Sequence, residues 1–183
     1  KSKEGDEYYT KARELSGRIV KELGYSIVSG GGPGIMEAAD RGAFEVGGDS
    51  VGLLIDLPNA QPVNSYITKS ISFYYFFARK VCLSFGAEVF IFFPGGYGTL
   101  DEFFEIITLL QTRKLAGEPV VCYGSEYWNK MKDFIDGTLK ARGFIDPGDE
   151  KLYTITDSLD DIIEIVRRAP VREGIPLEFE APH

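Results

Sequence analysis

Histidine is nearly absent from this sequence. The one imidazole belongs to the terminal His183. A Ser-His-Asp or Cys-His relay therefore has no base, and an ordinary His-bearing zinc site has no ligands. Nucleophilic acyl transfer and metal-assisted hydrolysis are poor candidates on that ground. Cysteine is scarce too. Cys82 and Cys122 fit neither a CxxC nor a metal spacing, and two cysteines do not make a disulfide framework. Both sit among apolar residues and read as reduced core thiols of a cytoplasmic protein. Positive charge is in deficit: 20 Lys and Arg stand against 28 Asp and Glu, for a net charge of -8. Such a surface repels a phosphate polymer, so no nucleic acid partner is expected. A small phosphorylated ligand needs only a few local cations and amides. Apolar runs stay well short of the roughly 18 residues of a membrane helix, and no signal peptide is visible, so no membrane partner is expected either.

What is present is enough for one domain over residues 1–183. Ser26 to Ser29, Val51 to Ile55, Val89 to Phe93 and Val120 to Tyr123 are short, rich in β-branched and aromatic residues, and bounded by Gly or Pro. They read as buried strands, with Tyr153 to Thr156 as a weaker one. Helical stretches lie between them, near Glu7 to Leu23, Ile35 to Val46, Tyr75 to Phe85, Leu100 to Thr112, Tyr127 to Ala141 and Leu159 to Arg168. This rhythm predicts an α/β fold: a mostly parallel sheet with helices on both faces. Such folds usually open on a strand, and this sequence opens on a helix. A first strand with its own ligand loop is therefore expected upstream of Lys1. Residues 169–183, with Pro170, Pro176 and Pro182, read as a C-terminal arm.

Two loops are richer in glycine than a turn needs. In "SGGGPGIMEAADRGA", Gly30, Gly31, Gly32 and Gly34 surround Pro33 between a strand and a helix. In "FFPGGYGTLDEFFE", Pro94, Gly95, Gly96, Tyr97, Gly98 and Thr99 do the same. Both put bare amides and a helix N-terminus at the carboxyl end of a parallel strand, where such sheets bind ligands. Amides and helix dipole favour an anion, and glycine lets a phosphate come close. No Lys follows in the Walker position, and a dinucleotide fingerprint from Gly30 would need a glycine at Ile35. The loops suit the single phosphate of a mononucleotide.

Asp101 and Glu102 follow the second loop and are expected in the first turn of its helix. Dipole complementarity accounts for one acid there. A carboxylate beside a phosphate gains value if it faces the sugar, where it can accept ribose hydroxyls and support positive charge on the ring. In "FYYFFARKVCLSFGA", Arg79 and Lys80 interrupt an aromatic segment. A planar guanidinium there suits a phosphate. Without histidine, carboxylate chemistry supported by arginine remains, and it fits cleavage of a glycosidic bond.

"SGGGPGIMEAADRGA", then "ARK", then "PGGYGTLDE" together resemble the LONELY GUY family, also labelled lysine decarboxylase-like. The match runs in register from about Tyr8 to Trp128, closest to bacterial members, with "LPNAQPVNSYI" and "LLQTRKLAGEPVV" in the expected places. The resemblance implies a Rossmann-like three-layer αβα fold, a homodimer, no cofactor, and hydrolysis of nucleoside 5′-monophosphates to free base and ribose 5-phosphate. Cytokinin nucleotides and AMP are substrates within the family. Its essential pair maps onto Arg79 and Glu102. Its phosphate-binding residues map onto Gly95, Gly96, Gly98 and Thr99, with Gly31, Gly32 and Gly34 in the facing loop. Lys80 adjoins the pair, Met36 matches the first loop's helix, and Gln111 borders a site shared between subunits. Arg79 either binds near the phosphate or assists the departing base. Asp40 departs from the Asn common in relatives. Decarboxylation has little support, since it needs pyridoxal phosphate on a Schiff-base lysine with supporting groups. The competing reading is a non-catalytic nucleotide sensor on the same scaffold.

Overall fold

The computed structural model describes residues 3–56, 62–115 and 117–171. Among these residues, strands and α-helices follow in order: α1 (Glu7–Arg18), β1 (Ile27–Ser29), α2 (Ile35–Glu45), β2 (Ser50–Ile55), β3 (Lys69–Phe73), α3 (Phe76–Phe85), β4 (Phe90–Phe92), α4 (Tyr97–Gln111), β5 (Val120–Tyr123), α5 (Ser125–Phe134), β6 (Thr154–Thr156) and α6 (Leu159–Arg168). Helical turns of wider pitch extend α1 over Ile19–Leu23 and α5 over Ile135–Lys140. Every pairing is parallel, which confirms the α/β class. The single sheet expected from sequence is instead two three-stranded sheets, ordered β1-β2-β3 and β4-β5-β6.

Alternation along β4 and β5 sorts their side chains to two faces. Phe90, Phe92, Val120 and Cys122 join Phe103, Ile106 and Leu110 of α4 and Trp128 of α5 in one core. Phe103 is fully buried, with its ring 5.6 Å from Phe92, 5.0 Å from Trp128 and 5.3 Å from Tyr153. Phe93, Val121 and Tyr123 turn the other way. They meet Tyr9, Ala12, Leu15 and Ile19 from α1 and its extension, and Ile162, Ile163 and Val166 of α6. Helix α1 also packs directly on α2, closely enough that a Cβ on Gly42 would lie 2.1 Å from the Arg13 carbonyl oxygen. Ser158 caps α6 by accepting from the Asp161 amide, as its boundary requires. Among the described residues no helix is long and apolar enough to cross a membrane.

Three further expectations change. β3 has no counterpart in the sequence reading, because KSISF is mostly exposed and lacks the continuous apolar run by which the buried strands are recognised. α4 begins at Tyr97, so Asp101 and Glu102 stand in its second turn. Cys82 is exposed on α3, and only Cys122 is a core thiol, with its pKa pushed up by burial. Helix α6 lies with α1 and leaves α4 uncovered on its outer side. Most of the C-terminal arm, residues 172–183, lies outside the described residues, as does the "LPNAQ" part of the quoted stretch at 57–61.

Candidate active site

Both glycine loops sit at carboxyl strand ends, one after β1 and one after β4. In the first, Gly31 has φ +72° and Gly34 has φ +88°, a region that L side chains rarely adopt. Space is short as well: a Cβ on Gly31 would meet Leu54 Cδ2 at 2.3 Å. A buried polar cluster holds this loop. Ser29 Oγ donates to Asp40 Oδ2 at 2.7 Å and accepts from the Gly31 amide at 2.9 Å. Asn64 Nδ2 donates to the same Asp40 oxygen at 2.7 Å and to the Gly32 carbonyl at 3.2 Å, while the Asn64 amide donates to the Gly31 carbonyl at 3.0 Å. Asp40 is fully buried, and among the described residues its Oδ1 has no hydrogen-bond partner. Burial raises its pKa, against the lowering effect of Asn64 and Ser29.

In the second loop, Gly96 caps α4 without a side chain. Its carbonyl accepts from the Thr99 amide at 3.0 Å and the Leu100 amide at 3.1 Å. The amides of Tyr97 and Gly98 make no such bond, so they point out of the helix end as donors. Gly95 is pressed against Thr99, whose Oγ1 would lie 2.1 Å from a Cβ there. The Tyr127 hydroxyl donates to the Gly95 carbonyl at 2.7 Å and fixes the loop from α5. Tyr97 itself is almost fully exposed.

Arg79 and Glu102 lie between these loops. Arg79 rises from α3, and its Nε donates to the Leu53 carbonyl of β2 at 2.6 Å. Its Nη2 and the Met36 sulfur both crowd the open side of Gly30. Among the described residues Arg79 makes no ion pair, although the Glu102 charge reaches it. Burial lowers its pKa from the ordinary arginine value, and Glu102 opposes that. Glu102 has a buried Oε1 with no hydrogen-bond partner among the described residues. Its pKa is raised, first by burial and then by Glu105, with Lys80 and Arg79 pulling it down. The pair thus offers a cation with free Nη donors and a carboxyl with a free acceptor.

Other residues assigned from sequence distribute differently. Lys80 is held by Asp101 at 2.8 Å and Glu105 at 2.5 Å, so its charge is already matched inside the chain. Gln111, at the far end of α4, donates to Asp149 at 2.5 Å. At 1.5 Å rise per residue it lies about 13 Å along the helix from Glu102, away from the loops of its own chain. Gly32, Gly34, Met36, Gly98 and Thr99 stay with their loops. Sequence reasoning passed over Ser29 and Tyr127 as loop supports, and gave Asn64 no role of its own. Asn64 meets Asp40 across 24 residues, and no local spacing signals that contact.

Residues 36–166 match the family described as possible lysine decarboxylase. LOG5 of Arabidopsis thaliana, a cytokinin riboside 5′-monophosphate phosphoribohydrolase, is 25% identical over 171 residues, covering 92% of this chain and 74% of that protein. A bacterial protein of the same description, from Rhodococcoides fascians, is 25% identical over 162 residues, covering 87% of this chain and 81% of that protein. Among solved structures, the molybdenum cofactor carrier protein of Chlamydomonas reinhardtii aligns with a TM-score of 0.67 at 23% identity, over 91% of this chain and 88% of that one. The molybdenum cofactor binding protein of Rippkaea orientalis gives 0.64 at 22% identity, over 88% and 87%. These structural likenesses establish the fold.

Proposed function

This chain belongs to the LONELY GUY family, described as possible lysine decarboxylase, and we propose that it hydrolyses the N-glycosidic bond of nucleoside 5′-monophosphates of the AMP or cytokinin type. One observation carries the reading. Among the described residues, an arginine without an ion pair and a glutamate with an unpartnered buried oxygen flank two amide-rich loops at the carboxyl ends of β1 and β4. A site that only held an anion would gain nothing from the glutamate, whose charge opposes the ligand.

In this reading the 5′-phosphate rests on the Tyr97 and Gly98 amides and the facing loop. Glu102 accepts from the ribose hydroxyls. As the C1′–N bond breaks, the electron pair leaves with the base and positive charge spreads over C1′ and the ring oxygen. The ionised carboxyl of Glu102 stabilises that charge. Water adds its oxygen to C1′ and its proton ends on the base. Arg79 supplies the cation of the site, either at the phosphate or at the departing base. No cofactor enters the scheme. A homodimer pairing the uncovered faces of α3 and α4 completes the proposal, in a cytoplasmic setting. Incubation with AMP and with a cytokinin riboside 5′-monophosphate, with ribose 5-phosphate as the readout, tests the activity. Adenosine is the control, and it should be turned over very poorly because the loops would have no phosphate to hold. Tight binding of AMP without release of ribose 5-phosphate would identify a nucleotide binder instead.

A further inference from the structure

Adjacent glycines give the second loop a choice of peptide orientation. Gly95 and Gly96 flank one peptide unit, and turning that unit over would carry Gly96 from φ -96° to a positive φ, which glycine adopts without steric cost. The space beside Gly96 is open as well, since a Cβ there would meet no atom within 4 Å. The two orientations differ in what they show a ligand. In a planar trans peptide the C=O and the following N–H point in opposite directions. The Gly95 carbonyl is turned toward α5, where it accepts from the Tyr127 hydroxyl at 2.7 Å. The Gly96 amide is therefore turned away from α5, and among the described residues it donates no hydrogen bond. It adjoins the Tyr97 and Gly98 amides, which are free in the same sense.

Tyr127 is itself held in place. It lies in the first turn of α5, and its amide donates to the Gly124 carbonyl at 3.1 Å. Its ring packs edge-on against the fully buried Trp128, with centroids 5.1 Å apart. Ser125 ties the start of that helix to the end of β6: its amide donates to Asp157 Oδ1 at 2.7 Å and its hydroxyl to Oδ2. Pro94 presses the loop onto the same support, its Cγ 2.9 Å from where a Cβ on Gly124 would lie.

We infer that Tyr127 is a positioning residue for the substrate's phosphate, an inference that rests on the function proposed above. Its hydroxyl holds the Gly95–Gly96 peptide so that the Gly96 amide joins those of Tyr97 and Gly98 as a third donor. Without that hydroxyl the peptide is free to turn. In the other orientation it shows the phosphate a carbonyl oxygen in place of an N–H, a dipole of the wrong sign for an anion. Among the described residues Tyr127 makes no hydrogen bond to Arg79 or Glu102, so its effect falls on binding and not on the breaking bond.

Tyr127→Phe removes the hydroxyl and keeps the ring against Trp128, so the melting temperature should stay within a few degrees of the parent. Calorimetric titration of both proteins with AMP and with ribose 5-phosphate reads the phosphate site directly. The dissociation constants of the variant should rise at least about tenfold, by the same factor for both ligands, since the lost donor serves the group they share. In turnover of AMP the loss should appear in KM, with kcat within about threefold of the parent. Equal affinities in parent and variant would overturn the inference and leave the proposed activity standing. So would a loss confined to AMP, which places the effect at the base, or a loss confined to kcat, which makes Tyr127 a support of Glu102. The expected loss of affinity in a protein that releases no ribose 5-phosphate would support the positioning role and overturn the hydrolytic one. A parent that binds neither ligand would overturn both.

Discussion

Gly30 and Arg79 are in contact across the mouth of the candidate site. A Cβ on Gly30 would lie 2.3 Å from Arg79 Nη2 and 2.8 Å from the Met36 sulfur. Both atoms are the far ends of flexible side chains, so the backbone need not move. Gly30→Ala is therefore expected to displace the guanidinium and leave the fold intact. The expected outcome is a fall in kcat/KM on AMP of at least about tenfold, or about 1.4 kcal/mol, with a melting temperature within a few degrees of the parent. Unchanged kinetics would mean that the guanidinium position is immaterial to turnover.

Removing the charged groups themselves should cost more. Arg79→Ala and Glu102→Ala are each expected to lower turnover at least about a hundredfold, the low end for a positioned ionisable group. The KM of the arginine variant assigns its role: a large rise places Arg79 on the phosphate, and a pure kcat loss places it at the leaving base. Near-normal rates in either variant would remove that residue from the site.

The raised pKa of Glu102 sets a pH dependence. The proposed chemistry needs the carboxylate ionised, and burial with Glu105 nearby favours the protonated form. As pH falls through this raised value, kcat/KM should drop toward a slope of tenfold per unit, beginning at higher pH than for an ordinary glutamate near about 4.3. Residual activity of Glu102→Gln should lack that limb. The same limb in parent and variant would trace it to another group.

Much of this site was readable from the sequence, because its signals are local. Glycine runs at strand ends, and Arg79 or Glu102 set among apolar neighbours, need no knowledge of distant residues. The same holds for β5 and α6, whose boundaries match the expected ones: Val120 to Tyr123 are buried throughout, and Ser158 provides a cap. What escaped depends on partners far along the chain. Leu53 holds Arg79 from 26 residues away, and Asn64 reaches Asp40 across 24. The start of α4 was misplaced because Gly98 reads as loop. Gly96 in an extended conformation lets the helix begin at Tyr97 instead. That β1–β3 and β4–β6 pair as two separate sheets was equally hidden, since it depends on pairing of edges.

Asp40 gives a stability prediction with a definite sign. Its folded pKa is raised above the unfolded value, so the fold favours its protonated form. The carboxyl is least costly below the unfolded pKa, and it burdens the fold once pH rises through the folded one. Asp40→Asn keeps an acceptor for Ser29 and Asn64 and removes the buried charge. It should raise stability at pH 8 by about 1 kcal/mol, or about 2–4 °C in Tm. That gain should shrink as pH falls toward the unfolded carboxyl value. A loss of stability at pH 8 would show that the charge itself holds the first loop.

The uncovered face of α3 and α4 carries the last prediction. Phe103, Ile106 and Leu110 point into the core, while Phe104 on the other side of α4 remains exposed. On α3, Phe76, Phe77, Val81 and Phe85 are each about half exposed or more, and Tyr74 and Tyr75 extend the patch. Tyr75 and Phe77 stack with ring centroids 5.6 Å apart, and both rings are mostly exposed. Exposed apolar area of this kind is uncommon on a monomer and favours self-association. A twofold dimer buries both copies of the patch with one contact, and α6 cannot substitute for it because it lies with α1. Light scattering at micromolar concentration should give about twice the chain mass of 20.3 kDa, or a higher multiple. Phe77→Glu combined with Val81→Glu places charges in the patch and should return the mass to that of one chain, with helix content unchanged by circular dichroism. A parent protein that scatters as a single chain would overturn the dimer.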